Sequence, residues 1–173
     1  TEDHIVMRRI RDLGPWLSAS VRARVSATPR TIRGGHVIVG VEDGDCIDAA
    51  FYEPSRGFRD VARALLPGDE LRIIGSVRDR PRSLNVEKLE VISLVKDVRK
   101  SHNPMCSACG KRMGSMGTGQ GFRCKKCGAR TPLDGAELME VPRQLSPGWY
   151  EPPIASRRHL HKPIRRMSKS TFN

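Results

Sequence analysis

Four of the five cysteines fall in two C-x-x-C pairs, Cys106/Cys109 and Cys124/Cys127, with fourteen residues between the pairs. Each tight turn offers two thiolates, and two such turns complete the tetrahedral sulfur set that a zinc ion takes in structural sites. Gly110 and Gly128 follow the pairs. A glycine there lets the backbone curl through positive φ and turn its amides toward the sulfurs. Lys111, Arg112, Lys125 and Lys126 flank the pairs and offset the excess negative charge of four thiolates around one dication. Four cysteines fill every coordination position, so the expected metal is structural Zn2+ rather than catalytic. A redox dithiol pair is the competing reading of the same spacing. Cys46 stands apart at the start of an alternating apolar stretch and is expected to be a small buried residue.

No catalytic constellation is read elsewhere. The Gly114–Gly121 stretch is glycine-rich, but it lacks the Gly-Lys-Ser/Thr ending and the flanking strand and helix of a phosphate loop. It reads as the hairpin of a zinc ribbon. Asp43, Asp45 and Asp48 look like turn chemistry rather than Mg2+ ligands. His159 and His161 are too few for a metal site. No nucleophile–base pair is visible.

The charge points to a polyanion. The 173 residues carry 31 Lys and Arg against 19 Asp and Glu, a formal net charge of +12. Residues 1–100 are nearly balanced, whereas residues 101–173 hold 13 basic and four acidic side chains. A basic stripe confined to one end suits nucleic acid. Apolar runs are only a few residues long, as in Val37-Ile38-Val39, far short of the roughly 20 a membrane helix needs, so no membrane role is expected.

The elements that must hold these residues are mostly β. Period-two alternation predicts strands over Val21–Val25, Val37–Val41 and Cys46–Tyr52, with Glu42-Asp43-Gly44-Asp45 as a hairpin turn. Phe58, Val61, Ala62, Leu65 and Leu66 recur at helical spacing, so residues 58–66 read as a short amphipathic helix ended by Pro67-Gly68. Two further strands are predicted over Leu71–Val77 and Leu84–Leu94. Three strands, a helix and two strands is the order of an OB-fold, a five-stranded barrel with its helix between strands three and four. Gly40 and Gly75 fall inside strands, where a small barrel coils sharply. The chain is therefore expected to be mainly β: an OB-fold barrel, then a four-cysteine zinc ribbon, then a basic, proline-rich tail. The expected boundaries are 1–18 for a lead-in, 19–97 for the barrel, 98–131 for the ribbon (entered through a linker at 101–105) and 132–173 for the extension. That extension holds six prolines and is expected to wrap the other domains or to order on binding, with Trp149 and Tyr150 anchoring it.

An ordered series of motifs adds a family. Gly34-Gly35-His36-Val37, Ala50-Phe51-Tyr52-Glu53-Pro54, Phe58-Arg59-Asp60-Val61, Leu66-Pro67-Gly68-Asp69, Leu84-Asn85-Val86-Glu87-Lys88 and Gly119-Gln120-Gly121-Phe122-Arg123-Cys124 resemble the C-terminal half of the archaeal isoleucine-tRNA 2-agmatinylcytidine synthetases. Tyr150-Glu151-Pro152-Pro153 and Ala155-Ser156-Arg157-Arg158-His159-Leu160 look like that family's closing segment, and Thr1-Glu2-Asp3-His4 like the stretch entering its OB domain. The resemblance implies a cytoplasmic, ATP-dependent ligase that attaches agmatine to the wobble cytidine of the AUA-decoding isoleucine tRNA. It also implies that the catalytic domains, which handle ATP and agmatine, precede the matched region. This chain would then be the module that grips the tRNA near its acceptor arm. A fragment of the longer enzyme is the expectation, with a separate subunit as the other possibility.

The residues expected to touch RNA follow from both lines. OB-folds bind on the face of strands two and three and on the flanking loops. Tyr52 is a candidate for base stacking, and Arg78, Arg80 and Arg82, spaced by two around a turn, are candidates for phosphates. In the ribbon the candidates are Lys111, Arg112, Arg123, Lys125, Lys126 and the aromatic Phe122, which competes with a role as the ribbon's small core. Arg157 and Arg158 complete the set. A free-standing single-strand binder and a protein-docking adaptor are the alternatives. The low aromatic content argues against the first and the charge against the second.

Overall fold

The computed structural model describes residues 5–157 and 162–167. Its strands are β1 (Val6–Met7), β2 (Ser18–Val25), β3 (Arg30–Thr31), β4 (Val37–Glu42) and β5 (Cys46–Phe51), followed by the helix α1 (Gly57–Arg63). Then come β6 (Glu70–Arg78), β7 (Ser83–Ser93), β8 (Asp97–His102), β9 (Gly114–Ser115), β10 (Phe122–Arg123), β11 (Arg130–Thr131), β12 (Glu137–Val141) and β13 (Gly148–Tyr150). Two compact units result. One runs through Val95 and is joined by the chain from Arg143 onward; the other is Lys96–Pro142.

The first unit is the OB-fold barrel. Its hydrogen-bonded order is β2–β6–β7–β5–β4, and the ring closes where Arg24 and Val25 of β2 meet Glu42 and Val41 of β4. The β5–β7 pairing is parallel and the other four are antiparallel. Alternation places Val21, Ala23 and Val25 of β2, Val39 and Val41 of β4, and Leu71 and Ile73 of β6 in one interior cluster. Full burial of aliphatic side chains, each contributing roughly 1.5–3 kcal/mol, holds this aromatic-poor core together. α1 contributes Phe58 and Ala62 to it, and Leu65 follows just beyond the helix. The helix is shorter than its apolar spacing predicts, because Leu65 and Leu66 already belong to the turn into β6.

Gly75 shows why a strand interior needs glycine here. A Cβ at this position would lie 2.2 Å from the Asn85 carbonyl oxygen, across a bulge in the β6–β7 ladder between Ile74 and Gly75. The coiling expected at Gly75 is thus a backbone-on-backbone approach. Cys46 departs from expectation: it is exposed, because it opens β5 at the hairpin end opposite Glu42.

Three motifs of the resemblance, those holding Gly35-His36, Glu53 and Arg59, meet at one barrel corner. Arg59 on α1 donates to the Gly35 carbonyl at 2.5 Å and ion-pairs with Glu53, whose amide donates to His36 Nδ1 at 3.0 Å. Gly35 sits at φ +79, where a side chain is strained.

The expected extension 132–173 does not form one piece. Its first part supplies β12, which pairs antiparallel with β8 inside the second unit, and residues 101–102 of the expected linker belong to β8. Its later part returns to the barrel. β13 pairs antiparallel with β7 through Trp149↔Glu90 and Tyr150↔Leu89, and Tyr150 packs against the barrel core. The second unit adds a three-stranded sheet, β11–β10–β9, around the cysteines.

Candidate metal centre and nucleic-acid interface

The two cysteine turns are built alike. In the first, the Gly110 amide donates to the Cys106 carbonyl at 2.8 Å and the Cys106 amide to the Lys111 carbonyl at 2.9 Å. In the second, Gly128 donates to Cys124 at 2.9 Å and Cys124 to Ala129 at 2.8 Å. Gly110 and Gly128 adopt φ +66 and +77, the left-handed turn that the sequence predicts. The four Sγ atoms lie within 4.8 Å of one another, with Cys106–Cys127 and Cys109–Cys124 at 3.4 Å. Zinc–sulfur bonds of about 2.3 Å in a tetrahedron set sulfurs about 3.8 Å apart, so the quartet fits a structural zinc ion. Among the described residues it is the only such cluster of three or more ligating side chains.

The amides make the turns ready for thiolates. Backbone N–H groups of Cys127 and Lys126 aim at Cys124 and lower its thiol to about 6. The Ala108 amide, followed by the Cys127 side chain, lowers Cys106. Cys109 feels a downward pull from the Lys111 amide, yet its neighbour Cys124, burial and the remaining sulfurs push it up to about 12. Cys127 moves up as well, the Ala129 amide being outweighed by Cys106 and Cys124. Four adjacent sulfurs cannot all ionise without a cation among them, and zinc supplies that charge.

Two of the ligands, Cys106 and Cys124, are buried with Met113 and Phe122 in one small core. Phe122 is only 1% exposed, with Lys100 Nζ 4.5 Å from its ring centroid. Its expected role in base stacking is therefore corrected: the ring is the ribbon's packing centre and has no free face. Arg112 is also occupied, donating to the Asn103 carbonyl at 2.7 Å and pairing with Glu137 at 3.2 Å. Arg123, Lys125 and Lys126, in contrast, are exposed and line one groove of about 540 Å³ with Gly114, Ser115 and Met116 at the start of the hairpin and Gly128 of the second turn. Lys111 is exposed beside the first turn.

On the barrel, Arg78 donates to the Tyr52 phenol oxygen at 3.4 Å, and Tyr52 meets the His36 ring edge-on with centroids 5.1 Å apart. Phe51 points inward against Phe58, so Tyr52 takes the outer face, as alternation requires. Arg80 is 94% exposed beside Asp79. Arg82 is corrected: its guanidinium donates to the carbonyls of Ile10 (2.8 Å) and Leu13 (3.3 Å), tying the lead-in to the barrel. Arg157 is corrected too, since it pairs with Glu151 at 2.6 Å and donates to the Pro152 carbonyl at 2.9 Å. Arg158 lies outside the described residues. Asp43 accepts from the Ile10 amide at 2.9 Å and Asp48 pairs with Arg30 at 2.6 Å, which accounts for two of the turn acids. Sequence reasoning missed Trp16, an exposed indole in the same groove as Tyr52 and Arg78; the signal that could have found it is an aromatic between Pro15 and a strand. No helix among the described residues is long and apolar enough to cross a membrane.

The chain has close relatives. A family model described as the TiaS C-terminal zinc ribbon domain matches residues 103–145. The isoleucine-tRNA 2-agmatinylcytidine synthetase TiaS of Methanocaldococcus jannaschii is 40% identical over 165 residues, 95% of this chain and 38% of that protein. The enzyme of the same name from Methanosarcina acetivorans is 51% identical over 144 residues, 82% of this chain and 32% of that protein. Among solved structures, a crystal structure of TiaS with its isoleucine tRNA and ATP matches at a TM-score of 0.74 and 37% identity, covering 94% of this chain and 38% of that one. The matched part of the chain thus spans 32–38% of the length of these relatives.

Proposed function

The chain carries the OB-fold and zinc-ribbon portion of the archaeal isoleucine-tRNA 2-agmatinylcytidine synthetase family, and from that premise we propose that it is the tRNA-holding module of the ligase. The whole enzyme, on this reading, uses ATP to attach agmatine to the wobble cytidine of the AUA-decoding isoleucine tRNA, in the cytoplasm. ATP and agmatine belong to catalytic domains that act with this chain. The chain's own part is to hold the acceptor arm while the anticodon is modified elsewhere.

The observation that carries this reading is the ribbon groove. Arg123, Lys125 and Lys126 line it together, on a frame fixed by zinc at Cys106, Cys109, Cys124 and Cys127. The zinc supplies rigidity, because it holds two turns whose own cysteines pack on little more than Met113 and Phe122. The cations then extend from fixed backbone positions within reach of phosphate oxygens. Lys111 adds charge beside the first turn. On the barrel, Arg78 and Arg80 contribute phosphate contacts and Tyr52 a stacking surface. Arg82, Arg112 and Arg157 serve structurally, Arg82 tying down the lead-in, Arg112 the chain at Asn103 and Glu137, and Arg157 the tail at Glu151 and Pro152.

The test is binding of an AUA-decoding isoleucine tRNA transcript to the zinc-loaded chain and to a Lys125→Ala/Lys126→Ala variant. Saturable wild-type binding that weakens in the variant, with zinc content unchanged, supports the proposal. Equal affinity in the two proteins, or equal affinity for single-stranded DNA, refutes it in favour of a free-standing single-strand binder.

A further inference from the structure

Trp16 is 79% exposed and adopts φ +64. Left-handed backbone at a bulky residue is a genuine outlier, and glycine would serve a bare turn better. The segment is nonetheless fixed. The Trp16 amide donates to the Val77 carbonyl at 2.9 Å, and the Val77 amide donates to the Leu17 carbonyl at 2.8 Å, so the β2–β6 ladder continues up to the indole. Leu17 packs toward the barrel core. The turn thus sends one apolar side chain inward and holds the large aromatic one out in water.

What surrounds the indole gives this arrangement a use. Trp16, Tyr52, Ser76, Val77, Arg78 and Asn85 line a groove of about 470 Å³ at the open ends of β5, β6 and β7. Tyr52, the residue directly after the third barrel strand β5, joins it to the usual OB binding side, and its more exposed aromatic, Trp16, comes from the lead-in. Two aromatic rings offer stacking surfaces. Arg78 offers a cation already oriented by the Tyr52 hydroxyl. Asn85 offers an amide that can both donate and accept, and it has no side-chain hydrogen bond among the described residues.

We propose that this groove is a seat for one unpaired RNA nucleotide, with its base stacked on Trp16 and Tyr52, its edge on Asn85 and its phosphate on Arg78. A nucleotide inside a helix cannot enter, because both faces of its base are covered by its neighbours, and a terminal paired base has only one face free for two rings. The inference rests on the tRNA-binding reading and adds which kind of nucleotide this face takes.

The experiment uses the full zinc-loaded chain carrying Trp149→Phe, so that Trp16 is the only indole. Its fluorescence is followed against hexauridylate, a blunt RNA duplex and the isoleucine tRNA transcript. Hexauridylate is expected to quench Trp16 saturably. Trp16→Ala, read by anisotropy of labelled RNA, is expected to weaken hexauridylate about tenfold and to leave the duplex unchanged, and Trp16→Phe is expected to restore most of the loss. A matched melting profile shows that Trp16→Ala is folded. If hexauridylate affinity is unchanged by Trp16→Ala, or Trp16 emission does not respond, the groove assignment falls, and transcript binding alone then leaves the tRNA reading standing. If hexauridylate quenches Trp16 while the transcript fails to bind, the groove stands and the tRNA reading falls. If neither RNA binds, both are overturned.

Discussion

Asp69 and Arg143 lie 74 residues apart in sequence and face each other as a two-pronged ion pair inside the barrel unit. Arg143 Nη1 donates to Oδ1 at 3.1 Å and Nη2 to Oδ2 at 2.7 Å. Asp69 is fully buried, and its carboxylate also accepts the amides of Leu66 (2.8 Å) and Val95 (2.9 Å). Nη1 also donates to the Val95 carbonyl and Nη2 to the Ala64 carbonyl. The pair therefore clasps the turn after α1, the exit from β7 and the returning tail at one point.

Removing one partner of such a pair strands a buried charge. Arg143→Ala is expected to destabilise the barrel unit by about 3–5 kcal/mol, measured by urea unfolding. Arg143→Lys keeps the charge but loses the two-pronged geometry and is expected to fall between. A loss under 1 kcal/mol in Arg143→Ala would mean that the tail docks without it.

Gly75→Ala places a methyl group 2.2 Å from the Asn85 carbonyl oxygen, which is backbone and cannot swing aside. The expected cost is about 1–3 kcal/mol, seen as a lowered melting temperature. Gly44→Ala is the control, since nothing lies within 4 Å of its added Cβ, although its φ of +111 adds strain of its own. A smaller loss at Gly75 than at Gly44 would contradict the close-approach account.

The Leu71 and Val21 strands, the helix at Phe58 and the zinc quartet were all legible, because each rests on periodicity or spacing, which local sequence carries. What was not legible depends on partners far along the chain. Arg82 reads as a free cation until Ile10, 72 residues away, is seen to accept from it. Phe122 is an aromatic beside a cysteine in either role, and only the packing of Met113 beneath it decides between core and base contact. β13 is three residues long, too short for any pattern, and exists because β7 offers an edge. Trp16 was passed over because exposure cannot be read from an apolar letter.

Zinc affinity is expected to rise steeply with pH. Cys109, at about 12, and Cys127, also raised, hold protons at neutral pH that the metal must displace. Cys124, at about 6, is mostly ionised by then. Each displaced proton adds about a factor of ten in affinity per pH unit, so competition with a chelator should show about a 100-fold gain between pH 6.5 and 7.5. A flat profile would mean that the site binds zinc without releasing protons, against the geometry of the quartet.

Cys124→Ser is expected to lose zinc and to unfold residues 106–128 while leaving the barrel intact, because the ribbon core and the barrel core are separate clusters. Amide spectra should show the β2, β6 and β7 resonances unmoved. Loss of those resonances together with the ribbon's would show one cooperative unit.

The most direct test of the account is a titration of the zinc-loaded chain with the isoleucine tRNA transcript, a second tRNA and single-stranded DNA at two salt concentrations. The account predicts tighter binding to tRNA than to DNA, weakening with salt, with a log–log slope that drops by about one for each of Lys125 and Lys126 replaced by Ala. Equal binding to DNA and tRNA, or a slope that the two substitutions do not change, would contradict it.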